Sequence, residues 1–329
     1  MLKAVVDRKG DESLKTLTIN VHYQCNAKCI FCVVGIPDKV KEEKCLSLDA
    51  IYQELQKGIE KGCDSLCLSG GEPTIYDGII NVVSKAKQLG YKRIEIKTNG
   101  IKLSDKELVK DFSEAGVDIF CISVQGHNTK IHDNVVGVPG AFSHLLKAVE
   151  HVKNENKILY TPTCIQIANY KYLPDIAEFY KTINSDIICP TFIEPSGSAN
   201  INFADVVPMY SQVIPYLYKA IEIINETNIK WNLHGFPLCM IKDYESKSLD
   251  VVDKTDVLAG TDIDNYSDYE KVTYRKKELK CNKCSLNIIC NGPWKSYVDK
   301  YGFNEFQINV NSLTEIFPPQ ILIRKFFVH

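Results

Sequence analysis

Residues 25–32 read CNAKCIFC, in which three cysteines are separated by three and by two residues and an aromatic residue stands directly before the last one. The cysteines are Cys25, Cys29 and Cys32. They follow an apolar, β-branched segment, residues 17–23 (LTINVHY), that is predicted to be a buried strand. Such a group can form disulfides, bind zinc or hold an iron–sulfur cluster. The choice depends on the fold around the motif and on the redox compartment of the protein.

The rest of the chain alternates strand-like and helix-like segments. Further short apolar segments typical of strands are 64–69, 93–98, 118–124, 158–167 and 186–193, and helical patterns lie between the strands at 48–61, 77–89, 105–115, 141–154 and 174–183. Strict alternation predicts an α/β fold with a parallel sheet and right-handed crossovers. Six units are too few for a closed eight-stranded barrel, so we expect a partial (β/α)6 TIM-like barrel.

A change in character marks the C-terminal part of the chain. A long helical pattern at 207–227 and a candidate seventh strand at 229–233 follow the sixth strand, and residues 242–280 are polar with little periodicity. We therefore predict a barrel domain over residues 1–230 and a small cysteine-bearing domain with a C-terminal tail over residues 231–329. The tail ends IFPPQILIRKFFVH, which is apolar enough to be packed back on the barrel or, alternatively, to form an oligomer contact.

The bulk composition limits the classes of partner. The chain has 329 residues, of which 45% are hydrophobic and 24% charged, and a formal net charge of −2. This charge gives no general attraction to nucleic acid or anionic lipid. The sequence shows no signal-peptide pattern and no apolar stretch of about 18 residues, so a cytoplasmic location without a membrane partner is expected.

The number of cysteines fits metal or redox chemistry better than disulfides. There are 13 cysteines, an odd number that rules out complete pairing, and a reducing cytosol disfavours structural disulfides. Clustered cysteines in a cytosolic chain are typical of metal or redox sites. Zinc sites usually show C-x2-C pairs and a fourth ligand, whereas three thiolates on a [4Fe–4S] cluster leave one iron open to a non-protein ligand.

Three further motifs end the next three strands. SGGEPT (residues 69–74) ends the second strand, KTNG (97–100) the third and SVQG (123–126) the fourth. The carboxyl ends of parallel strands meet at one edge of the fold, so we expect these motifs to lie beside CNAKCIFC at one mouth of the barrel.

In this combination and order, the motifs resemble those of the radical S-adenosylmethionine (SAM) superfamily over residues 17–200. The resemblance implies that Cys25, Cys29 and Cys32 ligate a [4Fe–4S] cluster whose open iron is chelated by SAM. It further implies a set of SAM contacts. Phe31 leans toward the adenine; Gly70, Gly71, Glu72 and Pro73 hold the methionine amino group; Thr98, Asn99, Ser123 and Gln125 contact the ribose and the carboxylate; and Asn169 lies near the adenine.

The resemblance also implies a type of reaction. The reduced cluster donates one electron to the sulfonium of SAM, and the resulting 5′-deoxyadenosyl radical takes a hydrogen atom from a substrate. The protein is then an enzyme, a radical SAM oxidoreductase or maturase, with an electron donor of the flavodoxin or ferredoxin type. Cys164, near the end of the fifth strand, and Glu194, at the end of the sixth, are the candidate catalytic residues. His127, His132 and Asp133 follow the fourth strand, and a solvated or loop-structuring role is expected for them.

A second cysteine group, residues 281–290 (CNKCSLNIIC), supplies Cys281, Cys284 and Cys290. Its spacing alone is compatible with zinc. Behind a radical SAM barrel it resembles the SPASM or twitch extensions of the superfamily, which hold auxiliary iron–sulfur clusters. The following NGPWKSY contains no further cysteine, which favours a single-cluster, twitch-like domain. Cys239 is the candidate fourth ligand of this auxiliary [4Fe–4S] cluster.

The resemblance leaves several functions open. Superfamily members with auxiliary clusters often modify ribosomally made peptides, so peptide (RiPP) maturation is the leading hypothesis. Only residues 1–24 precede the first motif, so no fused leader-peptide recognition domain of winged-helix size is expected. The alternatives are oxidation or rearrangement of a sugar, nucleoside or cofactor precursor, activation of a glycyl-radical partner, and non-catalytic electron transfer.

Overall fold

A single parallel sheet organises the chain. The computed structural model describes residues 14–33, 45–252, 258–259 and 274–317. The sheet order is β7-β6-β5-β4-β3-β2-β1-β8, and all neighbouring pairs are parallel. The strands are β1 (Thr16–His22), β2 (Ser65–Gly70), β3 (Arg93–Thr98), β4 (Ile119–Ile122), β5 (Ile158–Ile165), β6 (Ile187–Phe192), β7 (Lys230–Trp231) and β8 (Leu258–Ala259). Within the described residues β7 does not pair with β8, so the barrel is open.

Helices connect the strands on the outer face. They are α1 (Leu48–Glu60), α2 (Ile79–Gln88), α3 (Lys106–Ala115), α4 (Thr129–Val136), α5 (Ala141–Asn154), α6 (Leu173–Thr182), α7 (Gly197–Ile201), α8 (Phe203–Val206), α9 (Tyr210–Asn225), α10 (Leu249–Val252), α11 (Lys295–Tyr301) and α12 (Leu313–Ile316). Their apolar faces and the outer face of the sheet form one continuous core. No described helix combines the length and the apolar character that a membrane span requires.

The partial α/β barrel expected from the sequence is confirmed, with the alternation of strands and helices in the predicted order. The candidate seventh strand is present as β7, which crosses the predicted domain boundary at residue 230. Strand β8 pairs with β1. It lies in the polar segment 242–280, where the sequence shows no periodic pattern that would predict a strand. The division into two domains stays a prediction, and most of the predicted tail, residues 318–329, lies outside the described residues.

A small cluster of buried side chains fills the amino-terminal end of the barrel interior. It consists of Ile119, Cys121, Tyr160, Ile187, Cys189 and Leu249. Ile119 and Ile187 are the first residues of β4 and β6, and Leu249 reaches them from the start of α10. Because this end is packed, the space for chemistry lies at the carboxyl ends of the strands.

Aromatic packing attaches the C-terminal segment to the barrel. Tyr210, at the start of α9, stacks on Phe192 of β6 with ring centroids 3.7 Å apart. Tyr297 of α11 lies 4.8 Å from Tyr210, and the backbone N–H of Tyr210 donates to the Tyr297 hydroxyl at 3.2 Å. Phe236 and Phe306 complete this aromatic cluster. Burial of so much aromatic surface makes residues 294–306 part of the same folded unit as β6.

Replacing Tyr297 tests this attachment. Tyr297 is fully buried, so Tyr297→Ala should lower the free energy of unfolding of the metal-free chain by about 3–5 kcal/mol, the usual cost of removing a buried aromatic ring. The matched variant Tyr297→Phe keeps the ring and should cost only about 0.5–1.5 kcal/mol for the lost hydrogen bonds. Urea unfolding followed by circular dichroism measures both. Equal losses in the two variants would show that the ring packing contributes nothing to the attachment.

Candidate functional site

The four motifs predicted to converge meet at the carboxyl edge of the sheet. The cluster loop, which we define as residues 23–33, leaves β1 and runs beside the end of β2. The Gly71 N–H donates to the His22 carbonyl at 2.7 Å, and the Glu72 N–H donates to the Gln24 carbonyl at 2.8 Å. The end of β3 and the end of β4 are joined in turn by the Ser123 N–H, which donates to the Thr98 carbonyl at 3.1 Å. The predicted common mouth is therefore confirmed.

Two glycines allow β2 to approach the cluster loop. A Cβ atom on Gly71 would lie 2.0 Å from the carbonyl oxygen of Gln24, and one on Gly70 would lie 2.2 Å from the carbonyl oxygen of His22. Gly70 also has φ +126°, a conformation that L side chains rarely adopt. The GG pair is thus required by backbone packing, whether or not a ligand is bound.

The carboxylate of Glu72 connects β2 to β3. It is 1% exposed and accepts four hydrogen bonds, from the Thr74 N–H at 3.1 Å, the Thr74 hydroxyl at 2.6 Å, the Thr98 hydroxyl at 2.7 Å and the Asn99 N–H at 2.7 Å. Burial raises the pKa of Glu72, and the hydrogen bonds from Asn99, Thr74 and Thr98 lower it. Pro73 is buried beside it and begins a short 3-10 turn. The side chain of Glu72 is satisfied within the chain, and its predicted contact with SAM stays a prediction.

Asn99 links Glu72 to Cys25, the first cysteine of the cluster loop. Its side-chain amide donates to the Asn26 Oδ1 at 2.7 Å and to the Cys25 Sγ at 3.7 Å, while its Oδ1 accepts from the Ile101 N–H at 3.0 Å. The amide of Asn99 therefore orients Cys25. An N–H donor near a thiolate sulfur is one of the features by which proteins adjust iron–sulfur ligands.

The turn after α4 supports the middle of the cluster loop, and the sequence analysis missed it. The Lys28 N–H donates to the Val136 carbonyl at 2.9 Å, and a Cβ on Gly137 would lie 2.8 Å from the Lys28 carbonyl oxygen. Gly137 has φ +68° and ends α4. The signal in the sequence was the glycine itself, because a helix end with positive φ favours glycine.

The start of α7 supports the end of the cluster loop, and it was also missed. The Ser198 N–H donates to the Cys32 carbonyl at 2.9 Å, and a Cβ on Gly197 would lie 2.3 Å from the Val33 carbonyl oxygen. The segment PSGS (195–198) carried a turn signal, but nothing in the sequence showed which loop it contacts.

The three thiols of the cluster loop influence one another electrostatically. Partial burial raises the pKa of Cys29, and the nearby thiols of Cys32 and Cys25 raise it further. Three thiolates at such a site therefore need positive charge from a bound group. Among the residues that the structure describes, no three His, Cys, Asp or Glu side chains are placed to hold a single metal ion.

Two residues predicted to contact SAM, Gln125 and Asn169, form hydrogen bonds that link the ends of β4 and β5. The Asn169 amide donates to the carbonyls of Gln125 and Cys164 at 3.1 and 2.9 Å, and its Oδ1 accepts from the Gln166 N–H at 2.8 Å. The Oε1 of Gln125 accepts from the Cys164 N–H at 3.1 Å. Ser123 is half-buried. Asn169 is fully buried and engaged by backbone groups, and its predicted place near the adenine stays a prediction.

Cys164 and Glu194 lie near the cluster loop. The pKa of Cys164 is raised to about 12, mainly by burial and in smaller part by the charges of Glu194 and Cys32. Glu194 accepts a hydrogen bond from the Ser196 hydroxyl at 2.9 Å. Phe31 is half-buried and packs against the main core. These positions border the mouth, and the catalytic roles of Cys164 and Glu194 stay predictions.

His132 structures the loop after β4. Its Nδ1 accepts from the Gln125 N–H at 3.2 Å, and burial lowers its pKa to about 4, so the ring is neutral near pH 7. His127 and Asp133 lie on either side, and Asp133 accepts from the Gly140 and Phe142 N–H groups at 2.6 and 2.8 Å. The predicted loop-structuring role fits these contacts.

Charged residues inside the barrel were missed by the sequence analysis. Glu95 of β3 is 2% exposed, and burial raises its pKa to about 7 although Lys97 and Arg93 lower it. Cys67 of β2 donates to the Glu95 Oε1 at 3.8 Å. Alternation of charged residues in RIEIKT (93–98), a strand buried on both faces, was the available signal, because residues two apart share one strand face.

The second cysteine group and Cys239 line one cleft. It encloses about 450 Å³ between atoms, part of it open to solvent, and its lining includes Cys239, Cys281, Cys284 and Cys290. Burial raises the pKa of Cys239 to about 12, and the thiols of Cys290, Cys284 and Cys281 add to the effect. The sulfur of Cys284 accepts from the Asn309 N–H, and that of Cys290 from the Gly292 N–H, both at 3.3 Å. Four cysteines lining one cleft, two of them with N–H donors to sulfur, supply the residue types of a four-cysteine iron–sulfur cluster.

Comparison with known families and curated proteins agrees with the geometry of the mouth. The family described as the radical SAM superfamily matches residues 19–180. A protein of Sulfolobus acidocaldarius named as a probable GTP 3′,8-cyclase is 30% identical over 200 residues, 60% of this chain and 61% of that protein. An AdoMet-dependent heme synthase of Methanosarcina barkeri is 25% identical over 59% of this chain and 55% of its own length. This chain thus spans less than two thirds of these relatives.

Solved structures show the same fold over more of the chain. SuiB of Streptococcus suis bound to S-adenosylmethionine has a TM-score of 0.65 and 16% identity, covering 88% of this chain and 74% of SuiB. The enzyme anSMEcpe with bound AdoMet has a TM-score of 0.61 and 16% identity, covering 95% of this chain and 96% of that structure. The chain thus contains a radical SAM domain over residues 19–180, and these solved structures show the same fold over 88% and 95% of the chain.

Proposed function

We propose that this chain reductively cleaves SAM at the mouth of the barrel and uses the product radical to abstract a hydrogen atom from a substrate. The observation that supports the proposal most is the connection from the buried Glu72 carboxylate through Asn99 to the Cys25 thiol. It joins the SAM-contact motifs and the cysteine motif into one rigid unit. A plain electron-transfer protein has no need of such a unit.

Cys25, Cys29 and Cys32 would hold the [4Fe–4S] cluster, and the ends of β2, β3 and β4 would hold SAM. When bound, the cluster and SAM together supply the 5′-deoxyadenosyl radical. The contribution of the protein chain is to fix the positions of the groups that react. The backbone of the cluster loop is fixed by hydrogen bonds to β2, α4 and α7, and the packed amino-terminal end of the barrel closes the site from below. A fixed, enclosed geometry favours hydrogen transfer from the bound substrate over side reactions with water.

Cys239, Cys281, Cys284 and Cys290 would hold an auxiliary [4Fe–4S] cluster. Four thiols would close its coordination, so we assign it a role in electron transfer. The location is proposed to be the cytoplasm, where the thiols of both groups stay reduced, and the source of electrons is proposed to be a flavodoxin- or ferredoxin-type protein.

Peptide maturation is the substrate class we propose. Two solved structures with the same fold are peptide complexes, SuiB bound to the precursor peptide SuiA and anSMEcpe with the bound Cp18Cys peptide. The likeness to anSMEcpe with this peptide covers 96% of this chain. The open side of the sheet between β7 and β8 gives an extended substrate a way to the mouth.

A small-molecule substrate is the second candidate. The curated relatives are a probable GTP 3′,8-cyclase and a heme synthase, and both names describe chemistry on small molecules. Their similarity covers about 60% of this chain.

Iron content tests the two proposed clusters. Anaerobically reconstituted protein should bind about eight irons per chain, and the variant with Cys25, Cys29 and Cys32 replaced by alanine should keep about four. Cys239→Ala should change the electron paramagnetic resonance signal of the remaining cluster. Cys45→Ala alters an exposed cysteine outside both groups and is the matched control. Stoichiometric zinc with about four irons would contradict the auxiliary cluster.

Gly71→Ala tests the tight approach of β2 to the cluster loop. The new Cβ would meet the Gln24 carbonyl at 2.0 Å, so the cluster loop must move, and release of 5′-deoxyadenosine from SAM should slow by about ten-fold or more. Gly90→Ala is the control for a strained glycine substitution away from the loop, because alanine at φ +95° is strained but its Cβ meets no atom within 4 Å. Gly90 lies at the opposite end of β3. Equal rates in the two variants would contradict the proposed role of this packing.

A direct competition separates the substrate classes. Reduced protein with SAM should change the mass of a peptide encoded beside its gene, in step with 5′-deoxyadenosine, and should leave GTP unchanged. Liquid chromatography with mass spectrometry measures both. Conversion of GTP would favour the small-molecule candidate. Intact SAM after prolonged reduction of the loaded protein would favour a non-catalytic electron carrier, and transfer of a radical to a glycyl-radical protein would favour an activase.

A further inference from the structure

A patch of exposed apolar side chains surrounds the four-cysteine cleft. Leu279 is 84% exposed, Val310 79%, Ile288 66% and Ile308 40%. The first three are among the four most exposed large hydrophobic side chains of the described residues. Ile308 lines the cleft itself, Leu279 precedes the lining residue Lys280, and Ile288 follows the lining residue Asn287. We call these four residues the cleft patch.

Hydrogen bonds to the cysteine motif hold the segments of the cleft patch together. The Ser285 N–H donates to the Asn309 carbonyl at 2.8 Å, and the Asn309 N–H donates to the Cys284 sulfur at 3.3 Å. Ile308 and Val310, the two neighbours of Asn309 in the chain, therefore flank the sulfur of a predicted cluster ligand. An apolar surface of this kind on a polar protein is typical of a docking site.

The cleft patch is bordered by positive charge. Residues 275–283, RKKELKCNK, contain five basic residues and one acidic residue in a chain whose formal net charge is −2. Lys276 pairs with Asp299 at 3.0 Å and Lys280 with Glu278 at 3.1 Å. Lys277 and Lys283 have no carboxylate partner among the described residues, although the Lys277 Nζ donates to the Asn287 carbonyl at 2.6 Å. Lys283 stands between Cys281 and Cys284.

We propose that the cleft patch with Lys277 and Lys283 is the docking site of an acidic one-electron carrier protein. Lysines without a carboxylate partner, placed around an apolar centre, complement a carrier whose redox group is surrounded by carboxylates. The four thiols beneath the patch would hold the cluster to which such a partner transfers its electron. The proposal rests on the auxiliary cluster of the proposed function. In the transfer step the reduced carrier loses one electron, the oxidised auxiliary cluster gains one, and no bond forms or breaks.

Electron-transfer kinetics test the docking site. In the variant lacking Cys25, Cys29 and Cys32, the auxiliary cluster is the only remaining acceptor, and anaerobic stopped-flow absorbance follows its reduction by a photoreduced flavodoxin. Lys277→Glu with Lys283→Glu should lower the bimolecular rate by about ten-fold or more at low salt, and high salt should remove most of the difference. Leu279→Ser with Val310→Ser should raise the dissociation constant for oxidised flavodoxin. Lys106→Glu with Lys147→Glu makes the same charge change on α3 and α5 and should alter the rate less than two-fold.

The outcomes separate this proposal from the proposed function. Dithionite, which needs no docking site, should reduce the cluster in every variant, and its failure in this background would overturn the auxiliary cluster itself. A loaded cluster that flavodoxin reduces equally fast with and without Lys277 and Lys283 would overturn the docking site alone. A dimer in sedimentation velocity that Leu279→Ser with Val310→Ser converts to monomer would overturn it in favour of a second copy of the chain. Loss of hydrogen-exchange protection over 279–288 after removal of residues 318–329 would overturn it in favour of the tail.

Discussion

The buried carboxylate of Glu72 is the interaction on which the site depends. A carboxylate withdrawn from water is costly unless it accepts hydrogen bonds, and here Thr74, Thr98 and Asn99 supply four, three to Oε1 and one to Oε2. Charge-assisted hydrogen bonds of this kind are about twice as strong as neutral ones. They fix the ends of β2 and β3 relative to each other, and through the Asn99 amide they fix the first cysteine. The position of a predicted cluster ligand is thus set by a residue on another strand.

The fold and the meeting of the motifs were predictable because both follow from local patterns and one rule of parallel sheets. Short β-branched runs alternate with amphipathic helices, and the carboxyl ends of such strands share an edge. The supports at Gly137 and Gly197 were not predictable. They contact residues 28 and 33, more than one hundred positions earlier, and a close approach of two backbones leaves no trace except a glycine. Strand β8 was missed because two residues are too few to show a period.

The candidate auxiliary site was likewise predictable only in part. The spacing of Cys281, Cys284 and Cys290 is local and was visible, while Cys239 joined them only as an inference from a missing fourth ligand. The structure brings it into the same cleft because the segment after β7 packs against the C-terminal segment through the aromatic cluster. That cluster also contains Phe192 of β6, so the two thiol groups are carried by one continuous core. Their separation is consequently fixed by packing and not by a linker.

The cluster loop is held almost entirely through its main chain. Carbonyl oxygens of Gln24 and Cys32 accept hydrogen bonds from neighbouring elements, and the N–H of Lys28 donates one. Apart from Asn26, which accepts from Asn99, and Phe31, which packs against the core, the side chains between the cysteines therefore contribute little to the shape of the loop. Their substitution should leave Cys25, Cys29 and Cys32 in place, whereas a side chain on Gly71, Gly137 or Gly197 would clash with the backbone of the loop. Most of the residues that fix the geometry of this loop thus lie outside it, in segments far away along the chain.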